Sequence, residues 1–469
     1  MKRLVSAVLA LLVTVSAVWG ANDVAYAADR LTVKEQVMAV LRENVTEDSL
    51  LDEEMLLLIE DVMDLVVKND PVIDEKEYEA LYKKVKYVDV DVNSNTNYVS
   101  IGGSYVDAGN LDEDMDEYPF GDQLAEHYGI GSKKYTSIGK QGYRAEELLY
   151  ILDNTFNGDE YTRSWIKNET NRTKLRDKYT TSIKNANLIT VAIGSDSFTT
   201  YISKQMTNLI TAGTLTYDMD WSLYLDANGV AQIERLVAEM EAYLIESGNG
   251  DYASLISSMV ECFAYSYIGF SYSHAALVDK IHAINPNAHV VILGMYNIFD
   301  GLVYVSEEEE MYVGEYADYF IKLTNSVFAS YAANAENTSF IEIPDVTTEF
   351  DGRQEISMDP ENITAMISTI GNIFTALGKT KILPNVEGHI YIKDQLVKAI
   401  EEEPPTFVKG DVNDDGEIDI IDSMMFDRYL SGWDVEINLE AAEINDDGEI
   451  DIIDVMLLDR YLGGWTTSL

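Results

Sequence analysis

The spacing of hydrophobic residues changes along this chain. Between residues 31 and 86, apolar side chains recur every three or four positions, as at Val33 and Val37, which predicts two or three amphipathic helices. From about residue 96, short β-rich runs alternate with helical stretches, a pattern typical of a parallel sheet with crossover helices. The runs are NYVSIGGS, NLITVAIGS, AHVVILGMYN and SFIEIPDV, and a tyrosine-rich helical insertion, about residues 199–280, is predicted between the second and third.

The clearest domain boundary is the EEEPP run from Glu401 to Pro405. A charge run followed by two prolines cannot continue a helix, because proline lacks the amide donor that a helix needs, and it makes a stiff spacer. We therefore expect five segments: a signal peptide at 1–27, a helical segment at 28–95, an α/β domain at 96–400, a linker at 401–407 and a small all-α domain at 408–469.

The first residues have the pattern of a secretory signal. Two basic residues precede an apolar run from Leu4 to Trp19, and the triplet AYA, which ends at Ala27, forms a small-x-small cleavage site. A membrane anchor is the alternative, but the run is shorter than the ~20 apolar residues that a spanning helix needs. The pattern favours cleavage after Ala27 and an extracellular, secreted protein.

Charge and composition narrow the classes of partner. The 469 residues carry a formal charge of −49, which repels nucleic acids and anionic membranes. We therefore expect no nucleic-acid partner, whereas cations or a neutral polysaccharide fit this charge. No stretch after the signal is long and apolar enough to cross a bilayer, so we also expect no membrane span. The single cysteine, Cys262, excludes an intrachain disulfide.

A duplication follows the spacer. NDDGEIDIIDSMMFDRYLSGW begins at Asn413, and NDDGEIDIIDVMLLDRYLGGW begins at Asn445. Oxygen-bearing side chains at alternate positions, with a glycine at the sharp turn, are the chemistry of a calcium loop, so we expect two Ca²⁺ ions. The predicted ligands are Asp411, Asn413, Asp415, the carbonyl of Glu417, Asp419 and Asp422 in the first copy, and Glu443, Asn445, Asp447, the carbonyl of Glu449, Asp451 and Asp454 in the second.

Each loop is followed by one helix instead of being flanked by two, and roughly the last sixty residues strongly resemble a type I dockerin. The resemblance implies calcium-dependent attachment to a cohesin module of a scaffoldin in a cellulosome-like complex. Core packing is the alternative role for the isoleucines, but Ile418 and Ile450 are already placed to serve a core. By resemblance, the cohesin-binding residues are Ile420, Ile421, Asp427 and Arg428, with Ile452, Ile453, Asp459 and Arg460 as their duplicates.

The middle of the chain carries a second resemblance. IGGSYVDAGN, residues 101–110, is similar to the first block of the SGNH (GDSL) hydrolases, in which Gly-Asp-Ser is followed five residues later by Gly. Ser104 and Gly109 match this block, whereas Gly103 stands at the position of the aspartate. Later segments, including NPNAHVVILGMYN and LPNVEGHIYIKDQLVKAI, follow in the family's order. The resemblance covers about 300 residues and implies a flavodoxin-like three-layer α/β/α domain with a parallel sheet.

The chemistry of that family needs a serine nucleophile, a histidine base, and oxyanion donors from a glycine N–H and an asparagine. Here Asp196 stands at the position of the asparagine, and Leu383, in KILPNVEGHIY, at that of the histidine. Loss of the base alone costs ~10⁶ in rate, and loss of one donor ~10²–10³. The candidate catalytic residues are Ser104, Gly142, Asp196 and His389, the last because it lies a turn and a half beyond Leu383.

Two functions are open at this point. The first is an SGNH-type ester hydrolase, such as a carbohydrate esterase active in polysaccharide degradation, and the second is a pseudoenzyme that binds glycans or proteins in the same complex. A different histidine that reached Ser104 would favour the first; the candidates are His127, His274, His282 and His289. Aromatic residues of the insertion could line a sugar platform, although such residues more often pack inside; these are Tyr217, Trp221 and Tyr224.

Overall fold

The computed structural model describes residue 38 and residues 53–66, 75–104, 106–107, 119–250, 253–298, 300–305, 310–348, 353–355, 383–402, 408–433, 435–445 and 447–466. The chain divides into two compact units, one from residues 1–72 and 88–400 and the other from residues 73–87 and 401–469. The predicted signal peptide, most of the predicted linker and the motif glycine Gly109 lie outside the described residues.

A five-stranded parallel sheet is the centre of the first unit, with strand order β2-β1-β3-β4-β7. Counted within the sheet alone, this order is 2-1-3-4-5, the flavodoxin-like doubly wound order. The predicted α/β class with a parallel sheet is therefore confirmed. The strands are β1 (Tyr98–Gly102), β2 (Tyr135–Gly139), β3 (Leu188–Ala192), β4 (His289–Leu293) and β7 (Thr338–Ile341).

Four of these strands lie in the runs that the sequence predicts. Every residue of β1, β3 and β4 is buried, which is why these strands read as continuous apolar runs. The edge strand β2, YTSIG, was not predicted, because it is only partly buried and lacks such a run. A second sheet, with order β6-β5-β8, was also not predicted; its strands are β5 (Val303–Val305), β6 (Glu310–Tyr312) and β8 (Arg353–Glu355).

Helices connect the strands. The predicted N-terminal helical segment contains α1 (Glu53–Val66), which packs against α8 and α9 of the insertion, and α2 (Glu75–Val85). None of the described helices is long and apolar enough to cross a membrane. The helix α2 belongs to the second unit. Besides α1, the helices of the first unit are α3 (Phe120–His127), α4 (Ala145–Leu152), α5 (Glu160–Trp165), α6 (Glu169–Lys184), α7 (Ser195–Ala212), α8 (Ala227–Leu244), α9 (Ala253–Ile284), α10 (Val313–Asn334) and α11 (Val386–Glu401).

The tyrosine-rich insertion forms α7, α8 and α9, and its aromatic rings pack mainly inside the first unit. Trp221 lies edge-on to Tyr265 with the ring centroids 5.1 Å apart, and Tyr224 contacts the same ring at 5.4 Å. Trp221 is 4% exposed, so it offers no surface for a sugar. The ring of Tyr217 packs edge-on against Tyr161. Trp221 therefore cannot belong to the suggested sugar platform, and Tyr217 and Tyr224, which are half-buried, pack against other rings as the alternative expects.

The second unit contains the duplicated loops. Each is followed by a helix of eleven residues, and the two helices contact each other. Their apolar faces enclose a small core centred on Phe426 and Leu458, both fully buried. Besides α2, the described helices of this unit are α12 (Ile420–Leu430), α13 (Leu439–Ala442) and α14 (Ile452–Leu462).

Candidate functional site

Ser104 and Asp196 lie at the point where the strand order of the main sheet reverses. Ser104 follows the carboxyl end of β1, and Asp196 follows the carboxyl end of β3, its neighbour in the sheet. The connections leave neighbouring strands in opposite directions at such a point, which opens a crevice where doubly wound proteins bind ligands. Residues far apart in the chain therefore meet at the expected location of a functional site.

The carboxylate of Asp196 holds Ser104 through two hydrogen bonds. The Ser104 hydroxyl donates to Asp196 Oδ1 at 2.5 Å, and the Ser104 backbone N–H donates to Oδ2 at 2.6 Å. The Gly142 N–H in turn donates to Ser104 Oγ at 3.1 Å. Both Ser104 and Asp196 are 3% exposed. Three of the four predicted catalytic residues thus come together, and they bond to one another.

The glycine at position 103 is a consequence of where Asp196 lies. A Cβ atom at Gly103 would collide with Asp196 Oδ2 and would lie 2.7 Å from the Tyr143 carbonyl oxygen. The aspartate that the SGNH motif has at this position would not fit without a shift of the neighbouring carboxylate or backbone. The departures at positions 103 and 196, which look independent in the sequence, are sterically coupled in the structure.

This arrangement differs from that of a serine hydrolase in two physical respects. The Gly142 N–H, at the position where the SGNH hydrolases have an oxyanion donor, already donates to Ser104 Oγ. Asp196 lies in the first turn of α7, where the helix dipole favours a negative charge. A carboxylate ~4 Å from a developing oxyanion adds roughly 4 kcal/mol of repulsion at an effective dielectric near 20.

The structure does not bring His389 to Ser104. The Phe120 backbone N–H donates to His389 Nδ1 at 3.3 Å, and the two rings stack with centroids 6.3 Å apart. Burial lowers the pKa of His389 to about 4, so it is ~10²-fold weaker as a base than a free imidazole. Leu383, at the position of the family's histidine, is itself a buried apolar residue.

The other histidines are engaged elsewhere. His289 begins β4, and its Nε2 shares a hydrogen bond of 2.7 Å with Ser339 Oγ. His282 bonds to Thr338 at the start of β7, so both histidines lie at the amino-terminal edge of the sheet, opposite the edge where Ser104 lies. His274 stacks on Phe328, with centroids 4.2 Å apart, and burial lowers its pKa to about 3. His127 lies edge-on to Tyr128.

Sequence reasoning missed a buried ionic cluster centred on Arg144. The Arg144 guanidinium donates to Glu147 at 2.9 Å and to Asp159 at 3.1 Å, and it lies 3.5 Å from Glu146. It is also enclosed by two aromatic rings, each 4.7 Å away, those of Tyr161 and Tyr201. All four ionic residues are at most 1% exposed. In the sequence, YRAEELLYIL has the pattern of an ordinary helix with charged residues in its first turn. These charges become buried only because α6 and α9 pack against α4.

Burial gives Glu146 an unusual pKa. Desolvation is the largest cause and raises the pKa to about 7, while Arg144 opposes the shift and Glu147 and Asp159 add to it. Glu146 Oε2 has no hydrogen-bond partner within the described residues. Glu146 is therefore held largely protonated below neutral pH.

The first duplicated loop folds around its own carboxylates. The Gly416 N–H donates to Asp411 Oδ2 at 2.8 Å, and the Asn413 N–H donates to Asp422 Oδ1 at 3.2 Å. Asp422 has no exposed surface. Gly416 has a φ of +87°, a left-handed conformation that glycine adopts without steric cost. The sharp turn predicted at the loop glycine is therefore present.

The second loop repeats this arrangement with a longer first side chain. The Gly448 N–H donates to Glu443 Oε1 at 3.2 Å, and the Asn445 N–H donates to Asp454 Oδ1 at 3.0 Å. Asp454 has no exposed surface. Glu443, which replaces the usual aspartate, thus accepts a hydrogen bond from the glycine amide equivalent to the one that Asp411 binds in the first loop.

The donor chemistry of both loops fits calcium, because every predicted ligand offers an oxygen atom. Within the described residues, no three His, Cys, Asp or Glu side chains converge closely enough to form a metal centre alone. Asparagine and backbone carbonyl oxygens would therefore have to complete the coordination, as in other calcium loops. Residues 406–469 contain seventeen acidic and three basic residues, so a bound cation would relieve strong repulsion.

The predicted cohesin-binding residues lie on the surface of the second unit. The four isoleucines are between 48% and 62% exposed, and the charged members are exposed as well. Ile418 and Ile450 instead pack against the core. A role in the core is therefore excluded for Ile420, Ile421, Ile452 and Ile453, which form apolar surface at the start of each helix.

The two copies differ where their helices meet. Ser423 on α12 donates to Asp459 Oδ1 on α14 at 2.6 Å. The duplicate of Ser423 is Val455, which is buried in the core and cannot make the equivalent bond to Asp427. The duplicated surface is therefore chemically asymmetric, although its sequence is nearly repeated.

We expect Ser423→Val, which introduces the residue of the other copy, to destabilise α12 and α14. Their free energy of local unfolding should fall by about 1 kcal/mol. The reason is the loss of a hydrogen bond to a carboxylate. Hydrogen exchange of the calcium-loaded chain measures this quantity. A double-mutant cycle with Asp459→Asn is the control, and a coupling energy near zero would contradict the bond.

Comparison with known proteins agrees with the dockerin resemblance at the C-terminus. Residues 409–463 match the family model described as the dockerin type I domain. The prediction of a type I dockerin is therefore confirmed. Domains of this type generally bind calcium and have a cohesin as partner. A comparison with curated protein sequences found no match.

Solved structures that are similar to this chain include two lipases and an esterase. A lipase from a goat rumen metagenome is 12% identical, with 66% of this chain and 99% of that chain covered and a TM-score of 0.32. An extracellular lipase from Streptomyces rimosus is 14% identical, with 65% and 99% covered and a TM-score of 0.33. An acetyl xylan esterase from the rumen bacterium Butyrivibrio proteoclasticus is 14% identical, with 66% and 64% covered and a TM-score of 0.29. Because these scores are low, the α/β architecture rests on the sheet topology.

Proposed function

We propose that this chain is a secreted component of a cellulosome-type assembly, attached to a scaffoldin cohesin through its C-terminal dockerin with two bound calcium ions. The dockerin match at residues 409–463 supports the attachment. The exposed isoleucine pairs on α12 and α14 supply an apolar surface for the partner. The predicted signal peptide supports export of the chain.

The α/β domain acts in this proposal as a binding module without hydrolytic activity. The observation that carries this is the pair of hydrogen bonds from Ser104 to the Asp196 carboxylate. A serine attacks an ester only after its proton passes to a base and while other donors stabilise the oxyanion. Here the Gly142 N–H bonds to Ser104 itself, and the residue at the position of the second donor is a carboxylate. The polar groups of the crevice satisfy one another and leave little for a transition state.

A second function has one observation in its favour. The distance of 2.5 Å between Ser104 Oγ and Asp196 Oδ1 places a carboxylate where a general base would stand. In this alternative the domain is a carbohydrate or acyl esterase that uses Asp196 in place of histidine. An ordinary aspartate, with a reference pKa of about 3.9, is a much weaker base than imidazole, so this alternative is the less favoured.

Ester hydrolysis by the purified full chain distinguishes the two functions. We expect the wild-type chain and Ser104→Ala to show the same background with p-nitrophenyl acetate and with acetylated xylan. Turnover that depends on Ser104 would overturn the non-hydrolytic proposal. Asp196→Asn is the matched variant, since it keeps the size of the side chain but removes its charge. If Asp196 is the base, the activity is lost in Asp196→Asn as well as in Ser104→Ala.

A further inference from the structure

An open groove lies between the end of α4 and the second half of α9 in the first unit. Its volume is about 540 Å³, within the usual range of ~300–1,000 Å³ for ligand sites. Its walls come from the segment after α4, which includes Asp153 and Phe156, and from α9, which contributes Tyr272 and Lys280. None of the residues that line the groove belongs to the Ser104 site, so it is a separate surface.

One wall of the groove is an exposed and rigidly held aromatic ring. Tyr272 is 48% exposed although its ring stacks on that of Phe156, with centroids 6.4 Å apart and planes 24° from parallel. Tyr224, which belongs to the internal aromatic cluster, contacts the ring from another side at 5.7 Å. Because its neighbours already restrict Tyr272, a ligand that stacks on its free surface costs little additional side-chain entropy.

Polar groups that are held by hydrogen bonds line the same groove. The Lys280 ammonium lies 3.0 Å from Asp153 Oδ2, and the Tyr331 hydroxyl donates to Asp279 Oδ1 at 2.5 Å. Burial raises the pKa of Asp153, but hydrogen bonds from Thr155 and Lys280 outweigh this and lower the pKa to about 2. The groove therefore combines an apolar ring with carboxylate acceptors and an ammonium donor that are held by hydrogen bonds.

We infer that this groove binds a neutral oligosaccharide, with one sugar ring stacked on Tyr272 and its hydroxyl groups bonded to Asp153 and Lys280. A pyranose has an apolar C–H face and a rim of hydroxyl groups, which match these two kinds of surface. The groove has one more carboxylate than ammonium group among Asp153, Asp279 and Lys280, and the whole chain has a charge of −49. Both charges disfavour an anionic polymer. The inference rests on the proposed binding role and gives that role a location and a ligand class.

Titration calorimetry of the calcium-loaded full chain tests this inference. The probes are cellohexaose and xylohexaose as neutral oligosaccharides and polygalacturonate as an anionic polymer. We expect saturable binding of at least one neutral hexasaccharide, weakened at least tenfold by Tyr272→Ala and retained in Tyr272→Phe, which keeps the ring. Tyr429→Ala, at an exposed tyrosine of the second unit, is the control and should leave binding unchanged.

Four results would overturn the inference. They are no binding of either hexasaccharide, unchanged binding in Tyr272→Ala, preferential binding of polygalacturonate, and loss of binding in Ser104→Ala, which would place the sugar in the other crevice. The test is separate from the hydrolysis assay. Turnover dependent on Ser104 together with binding dependent on Tyr272 would reject the non-hydrolytic function and retain the groove, whereas background hydrolysis without sugar binding would reject the groove alone.

Discussion

Removal of calcium with EDTA is expected to abolish cohesin binding and to unfold the duplicated loops and their helices, while the first unit stays folded. Asp422 and Asp454 have no exposed surface, and each lies in a loop with several other acidic residues. Without a cation, these buried carboxylates lose the partner that offsets their desolvation. At a calcium concentration ~1,000-fold above Kd, each site stabilises the folded state by ~4 kcal/mol, so we expect at least a ~10³-fold loss of cohesin affinity.

Two measurements check this result. Binding to a panel of immobilised type I cohesins is compared in calcium and in EDTA, and hydrogen exchange of α12 and α14 reports on folding without needing the right cohesin. Asp454→Ala should weaken calcium binding in the second loop, whereas Asp427→Asn, an exposed carboxylate outside both loops, should not. Equal protection of both helices in EDTA and in calcium would refute the metal assignment.

The substitution Arg144→Leu is expected to destabilise the first unit by ~3–5 kcal/mol, which is the usual cost of removing one partner from a buried ionic group. Arg144 is the cation that faces the carboxylates of Glu146, Glu147 and Asp159, and it also donates to Thr162 at 3.0 Å. Leucine would fill part of the space between the rings of Tyr161 and Tyr201, so the loss is mainly electrostatic. Urea denaturation at pH 7 measures the change in the free energy of unfolding.

Glu146→Gln is the matched control, because it removes a charge from the same cluster but should have the opposite effect. The folded-state pKa of Glu146, about 7, lies above its ordinary value of 4.5. The folded protein therefore keeps a proton that the unfolded chain releases, and the free energy of unfolding falls as the pH rises from about 4.5 to 7. Above pH 7 the wild type has lost the stability that this proton contributes.

Glu146→Gln should therefore be more stable than the wild type at pH 8 and close to it at pH 4.5. Urea denaturation at pH 4.5 and pH 8 gives the difference in unfolding free energy between the two proteins. The change in this difference with pH reports on Glu146 alone, because the other titrating groups are common to both proteins. A wild-type advantage at pH 8 would show that Glu146 is ionised and well paired in the folded state. If Arg144→Leu were as stable as the wild type, the cluster would not depend on its cation.

Much of the main sheet could be predicted from the chain alone. The apolar runs at β1, β3, β4 and β7 mark strands that are buried on both faces, since such strands cannot alternate polar and apolar residues. The edge strand β2 was not predicted, because a half-buried strand has a weaker pattern of apolar residues. The short strands of the second sheet, three residues each, are below the length at which periodicity is informative.

The candidate site could be predicted only in part. The spacing of the motifs indicated Ser104, Gly142 and Asp196. Such spacing is informative because residues that follow the ends of parallel strands lie at the same edge of the sheet. That the Asp196 carboxylate occupies the space beside Gly103 could not be predicted, since it depends on the approach of two loops far apart in the chain. His389 was a candidate by proximity along the helix, but its bond to Phe120 is a long-range contact.

By itself, the sequence determined the two duplicated loops, the dockerin and the α/β class, because each depends on spacing within a short segment or on a repeated pattern. Only the tertiary structure decided which charges are buried around Arg144, that the ring of Tyr272 remains exposed, and which group accepts the hydrogen bond of the Ser104 hydroxyl. These features arise where separate segments pack together. The burial of a side chain and the identity of its hydrogen-bond partner depend on that packing, and no local pattern of residues encodes them.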